Sequence, residues 1–339
     1  MTRFEQVTFQ VTDSTGTPTG TLNPRQTGQV TCTEGRRVLR GLDLLPDDWS
    51  ALDPYDSRIV PTYTIDGVAH PLGTFCCVSG SAIQFDGIQQ ATAVPAGYQG
   101  TVDLADDCAF LDILIPNPYP VTPGTLATTA IQNLLEQAGF PNHDVAYLPT
   151  PIGEPAVYDG TYLDAIDDLS TSAGGYPLYF TVDRVPTVEA APDPSSMVAD
   201  YTYNVGDGIV VGRPTYPFDA WAPNKWMALG GTDAASMIGV YELAAGVPGW
   251  QGQRGQEVLE RFDAKSITTQ AGLDLAARTA AVLSFREANG LAFDTIAVPT
   301  HGAFECVSNN GRLWLETSWT LDVQPGSTQS HTCGAVLSP

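Results

Sequence analysis

Carboxylates are the most abundant ionisable side chains in this chain: 38 Asp and Glu stand against 15 Lys and Arg, a formal charge of −23. Two adjacent pairs, Asp47-Asp48 and Asp106-Asp107, have the residue types of the acid and base that cleave glycosides. In so acidic a chain such pairs arise by count alone, and both are expected on solvated faces. Four histidines, His70, His143, His301 and His331, have the chemistry for metal ligation or proton transfer. None lies in an H-E-x-x-H helix or at another metal-ligand spacing. His70 precedes Pro71 and reads as a surface or hydrogen-bonding residue. The six cysteines fit no zinc spacing. Cys76 and Cys77 are neighbours, so in a strand they face opposite ways, and all six read as small buried thiols. The chain has no G-x-S-x-G elbow and no G-x-x-x-x-G-K-[ST] phosphate loop. Asn204 to Gly212 carries glycines but no basic residue, and reads as a hairpin. Trp221, Trp226, Trp250, Trp314 and Trp319 have the rings for a sugar platform but fall in separate segments, as core tryptophans do. The expectation is no catalytic residue, no cofactor and no metal.

At 339 residues and 43% hydrophobic content, the chain has room for two or more packed domains. Its charge argues against tight nucleic-acid binding, which is built from cationic phosphate contacts. No apolar run approaches the roughly 18 residues of a spanning helix. Met1-Thr2-Arg3-Phe4 leads straight into alternating sequence, not into a signal peptide. Synthesis and folding in a reducing cytoplasm are therefore expected, with no membrane partner.

The elements follow from periodicity. Residues 1–103 read as all-β: Val7, Phe9 and Val11 alternate with polar residues, and further short strands fall at Gln29–Thr33, Ile59–Thr64, Gly73–Val78, Ile83–Phe85 and Ala91–Val94. Asp66-Gly67 and Asp86-Gly87 mark turns between them. Residues 104–195 read as an α/β insertion. Its first helix carries Ile131, Leu134, Leu135 and Ala138 and ends at Gly139. In its second, Tyr162, Ile166, Leu169 and Ala173 share one face, while Asp164, Asp167 and Asp168 lie off it, toward solvent. Thr161 is placed to cap that helix and Gly174-Gly175 to end it. A hairpin follows, Leu178–Val182 and Val185–Glu189, with Phe180 in its first strand, before the exit at Pro192-Asp193-Pro194. Residues 196–225 are expected to return as strands to the first β unit. Residues 226–339 form a second β unit, with a loop at 236–256 and a long helix over 269–289 whose apolar face is Leu273, Ala276, Ala280 and Leu283. The fold class expected is mainly β with an α/β insertion (α+β), and the two β units are expected to be separate and to superpose.

Three segments resemble one family. The helix, aromatic strand and proline-rich exit of 160–194 resemble the second hub domain of the baseplate hub and minor tail proteins of long-tailed phages. Val185 stands where that family usually has a turn glycine. Arg58-Ile59, Tyr63 and then Pro71-Leu72-Gly73-Thr74-Phe75 resemble the family's opening domain. Pro223-Asn224 through Gly230 resembles the strand that opens its second tube-forming domain. The resemblance implies two small barrel-like domains in a homotrimeric ring with pseudo-sixfold symmetry. Its implied partners are a distal tail or tail tube protein, a tape-measure protein and tip or fibre proteins, with DNA passing through the channel without specific binding. It implies residence in the virion after assembly in the host bacterial cytoplasm. A tail-associated cell-wall hydrolase or saccharide-binding adhesin is the rival reading. Some relatives carry lytic domains as C-terminal extensions; none is expected here, since the sequence closes at Pro339 after its last β unit.

Overall fold

The computed structural model describes residues 3–84, 98–153, 155–192, 196–204, 206–232, 235–247, 249–264, 267 and 269–337. The expected strand at Ala91–Val94, the turn at Asp86-Gly87 and the end of the Pro192–Pro194 exit lie outside these residues. The fold is mainly β with an α/β insertion.

The opening unit contains β1 (Glu5–Thr12), β2 (Pro18–Leu22), β3 (Gln26–Thr33), β4 (Arg36–Leu44), a short helix α1 (Pro46–Ser50), β5 (Arg58–Ile65), β6 (Val68–Pro71), β7 (Phe75–Gln84) and β8 (Tyr98–Ala105). Alternation sends Phe9, Val11, Val30, Leu39, Ile59 and Tyr63 to one side, where they meet Leu72, Phe75 and Leu104 in a single core. Asp66 and Gly67 both have positive φ, 50° and 86°, the twist that a two-residue hairpin turn between β5 and β6 requires.

The insertion contains β9 (Tyr119–Val121), α2 (Ala127–Gln137), β10 (Asp144–Val145), β11 (Ala156–Tyr158), α3 (Tyr162–Ser172), β12 (Tyr179–Phe180) and β13 (Pro186–Val188). Ile131, Leu134 and Leu135 of α2 face Tyr162, Ile166 and Leu169 of α3 in a second core, closed by Phe180 and Val188. Thr161 Oγ1 accepts the Asp164 amide at 3.1 Å, and Gly174 takes φ +87° just past the end of α3. The hairpin strands are shorter than their sequence suggests. The left-handed turn position falls on Arg184, at φ +65°, and not on Val185.

The remainder contains β14 (Tyr201–Tyr203), β15 (Val210–Thr215), β16 (Lys225–Thr232), β17 (Ala235–Glu242), α4 (Gln251–Arg254), β18 (Leu259–Asp263), α5 (Gln270–Ala288), β19 (Gly290–Ile296), β20 (Cys306–Asn309), β21 (Arg312–Asp322) and β22 (Thr328–Ala335). Five expectations change here. The 196–225 stretch does not return to the opening unit: β14 pairs with β20 and β15 with β19. Asn204 to Gly212 is consequently no hairpin, because the strands on either side of it pair elsewhere. The supposed loop at 236–256 begins with β17, a full partner of β16. The buried face of α5 is Leu273, Ala277, Ala281 and Phe285, while Leu283 is exposed. Nor are the two β units separate. One sheet runs β15-β19-β22-β21-β3-β4-β8-β7-β5-β1-β2, crossing between them where β21 pairs with β3. Trp319 and Leu321 of β21, and Val323 just beyond it, sit in the opening unit's core.

Helix α5 lies on the sheet of β17, β16 and β18, and Gly239 sets how closely it lies. A Cβ there would come within 2.2 Å of the Leu273 carbonyl group. The obstacle is backbone, so Gly239→Ala is expected to cost about 3 kcal/mol by overpacking. Gly20→Ala, whose new Cβ meets only Ala51 Cβ at 3.9 Å, is the control. Thermal melting of the two variants tests this, and equal melting temperatures would show that α5 is free to shift.

Candidate functional site

The most concentrated chemistry in the fold comes from four strands and one loop. In β22, Gln329, His331 and Cys333 point inward by simple alternation. Glu316 enters from β21 beside the irregularity between Glu316 and Ser318, Thr295 from β19 and Tyr203 from β14. His301 hangs from the loop between β19 and β20. The two Glu316 oxygens accept from His301 Nδ1 at 2.7 Å and His331 Nδ1 at 2.5 Å. The far ring nitrogens meet hydroxyls: His301 Nε2 lies 2.7 Å from Tyr203 Oη, and His331 Nε2 lies 2.9 Å from Thr295 Oγ1. Glu305 Oε2 also lies 2.9 Å from His301 Nδ1. Tyr201 stacks on His301 at 4.1 Å and Phe293 on His331 at 4.7 Å.

Burial opposes a charge on His301, but the carboxylates of Glu305 and Glu316 outweigh it and raise the imidazole to about 9. Burial dominates at His331 and lowers it. At Glu316 burial favours the neutral acid, yet the two histidines hold it below its usual range. His301, Glu316 and His331 are each almost fully buried, so no macromolecular substrate reaches them. The cluster acts inside the fold, and its donor atoms are of the kind that hold metal.

A second polar seam joins the insertion to the opening unit. It overturns the expectation that the acidic pairs are solvated. Asp107 is 1% exposed and accepts from Arg184 Nε at 2.7 Å, with Arg58 Nε at 3.7 Å. Asp106 Oδ2 accepts the Arg37 amide at 2.7 Å, and its other oxygen caps a 3-10 turn at the Cys108 amide. Asp48 is buried too, accepting the Asn23 and Leu45 amides, and of that pair only Asp47 is exposed. Asp167, expected in solvent, pairs with Arg36 and accepts the Leu178 amide at 3.0 Å. These carboxylates are structural ties, and they are not positioned to act on a substrate.

The residues singled out in the sequence are spread over the molecule and converge on no site. Tyr162, Ile166, Leu169, Ala173 and Phe180 are buried in the insertion core. Leu72 and Phe75 are buried in the opening core, while Pro71 is exposed. Gly73 has φ +138°, and a Cβ on it would press on the Phe75 ring and on Arg37. Asn224 is 2% exposed and clamps the loop before β18: its amide donates to the Gly249 and Gln256 carbonyls, and its Oδ1 accepts the Val258 amide. Neighbouring Pro223 is partly exposed. Of the tryptophans, Trp226, Trp314 and Trp319 are core, and Trp221 is exposed. All six cysteines are free, and burial pushes Cys32 up to about 12 and Cys76 and Cys77 to about 11, which makes them unreactive.

This chain has the fold of phage tail proteins of the hub type. The tail protein from Neisseria meningitidis MC58 superposes with a TM-score of 0.67 at 12% identity, over 98% of each chain. The 43 kDa tail protein of prophage MuSo2 from Shewanella oneidensis gives 0.64 at 12% identity, over 98% of this chain and 100% of that one. The E. coli c3393 protein is a type VI secretion component described as similar to the T4 tail proteins gp27 and gp5. It gives 0.53 at 9% identity, over 99% of this chain and 75% of that one. No family model and no curated protein matches the sequence.

Proposed function

We propose that the protein is a structural subunit of a phage tail tip, a hub whose three copies close into a ring between the hexameric tail tube and the tip and fibre proteins. The observation that carries this reading is the extent of the fold: two tail proteins match it end to end, over 98% of this chain and nearly all of theirs. In this reading residues 1–103 and 226–339 build the ring, and 104–195 lies outside or below it. The long sheet supports it. Among the described residues its terminal strands, β15 and β2, each have one unpaired edge, and edges of that kind call for a cover. Copies related by rotation cover one another without leaving an end.

Charge supports a channel. At least six of the 15 basic residues, Arg3, Arg25, Arg36, Arg58, Arg184 and Lys225, are set against carboxylates of the same chain. The other nine are outnumbered by the chain's 38 carboxylates along any wall past which DNA and a tape-measure protein slide. A carboxylate wall repels DNA within a Debye length of roughly 8 Å at physiological salt. Imaging of purified tails is expected to find three copies around a net-negative channel. Two or six copies would overturn the ring, and a lumen lined by arginine and lysine would overturn the charge argument.

A further inference from the structure

We infer that His301, His331, Glu316 and Glu305 form a binding site for one zinc-type divalent cation, which locks the C-terminal sheet to the loop that seats the insertion. The donor set is the first reason. Two imidazole nitrogens and two carboxylates make an N2O2 set, within the usual chemistry of zinc and its neighbours. His301 Nδ1, His331 Nδ1 and a Glu316 oxygen lie within 4.8 Å of one another. Glu305 Oε2 is 2.9 Å from His301 Nδ1, its one ion-pair contact among the described residues, and the oxygen is shielded from solvent. Glu305 borders the three-residue cluster on its His301 side and supplies a fourth ligand by a shift of its side chain toward the ion.

The outer contacts fit as well. A metal-bound histidine donates its other ring N–H to a partner that fixes the ring. Here both Nδ1 atoms converge on the carboxylate, and both Nε2 atoms face hydroxyls, Tyr203 Oη and Thr295 Oγ1. A hydroxyl accepts or donates. Without metal, His331 keeps its proton on Nδ1 for Glu316 and accepts from Thr295. With metal, Nδ1 becomes a ligand, and the Nε2–H of each ring donates to its hydroxyl. Neither ring has to turn. The ligand atoms have only to part slightly: Nδ1–O contacts of 2.5 and 2.7 Å widen to the about 3.3 Å that tetrahedral ligands at about 2 Å imply.

Charge points the same way. Glu316 inside the sheet and Glu305 on the loop beside it face the imidazoles, and both Glu316 oxygens are occupied by imidazole nitrogens, with no arginine or lysine among their hydrogen-bond partners in the described residues. A divalent cation balances both carboxylates at once. The consequence reaches past the cluster. The 301–305 loop also carries Phe304, held at φ +53° and stacked 4.2 Å from the Tyr176 ring of the insertion. Fixing His301 and Glu305 fixes Phe304 between them.

The test uses the full chain, stripped with chelator and titrated with Zn2+ or Co2+. The expected result is one ion per chain, tetrahedral cobalt bands in the visible spectrum, and histidine ring spectra in which Nδ1 of His301 and His331 is ligated and Nε2 protonated. Tyr203→Phe keeps the fold and removes an outer partner, and is expected to weaken binding about ten- to a hundredfold. Glu305→Gln removes a ligand and is expected to weaken it at least as much. Melting curves without metal check that both variants fold. Binding that both variants leave unchanged, or an octahedral cobalt spectrum, would assign the ion to surface carboxylates and overturn the site. So would stoichiometric failure to bind. None of these results bears on copy number in the tail, so the site and the ring fail separately.

Discussion

Asp107→Ala is expected to lower the stability of the protein by about 3–5 kcal/mol, the cost of leaving a buried charge without its partner. The charge left behind is Arg58. Its side chain is 8% exposed, its guanidinium sits 4.9 Å from the Phe110 ring, and its Nη1 donates only to the carbonyls of Asp56 and Ser57. Arg184 loses its carboxylate as well but keeps the Ser14 carbonyl at 2.7 Å, and it is near enough to solvent to rehydrate. The contact is strategic because Asp107 belongs to the insertion, Arg58 to β5, and Arg184 to the hairpin turn that also reaches Ser14. Chemical denaturation of Asp107→Ala reads the loss directly. A change within about 0.5 kcal/mol would return Asp107 to the class of ordinary surface carboxylates. Pairing Asp107→Leu with Arg58→Met is expected to recover most of the stability, since an apolar pair of similar volume replaces a buried ion pair at little cost.

That Asp107 was read as solvated shows where the sequence stops being legible. Helix α3 is legible because its causes are local. The apolar spacing of Tyr162, Ile166 and Leu169, the Thr161 cap and the Gly174 stop lie within one short stretch. The Asp66-Gly67 turn is legible for the same reason. The environment of Asp107 is set by Arg184, 77 residues away, and no window contains both. The histidine cluster is hidden in the same way. His301 and His331 meet only because β21 and β22 pair in the register that sets Glu316 beside Cys333. The available signal was an inward strand position holding a polar residue: Gln329 and His331 alternate with exposed neighbours in β22. Strand β17 was missed because Gly239 breaks its apolar pattern, and that glycine is there to admit α5. In α5 itself alanine lies on both the buried and the exposed sides, so the sequence fixes the length of the helix better than its phase.

Leu169→Asp is the second change with a large expected effect, and it is graded against its two neighbours in α3. Leu169 is 1% exposed, within the core shared by α2, α3 and the hairpin. Truncating such a leucine costs about 2–5 kcal/mol. A carboxylate there adds the cost of burying a charged group with no partner. The insertion is expected to unfold locally, so that limited proteolysis cuts between 108 and 190 while the two β units stay protected, and tail assembly fails. Asp168 is exposed and accepts from Tyr158 Oη at 2.9 Å, so Asp168→Asn is expected to change stability by less than about 0.5 kcal/mol. Asp167 falls between the two. Its ion pair with Arg36 is about a quarter exposed and is worth at most about 1 kcal/mol, while an asparagine Oδ1 still accepts the Leu178 amide. The order of loss is therefore Leu169→Asp far above Asp167→Asn, and Asp167→Asn above Asp168→Asn. If Asp168→Asn proved as costly as Asp167→Asn, the Arg36 tie between α3 and β4 would carry no stability. If Leu169→Asp folded normally, the shared core of α2 and α3 would not be what holds the insertion together.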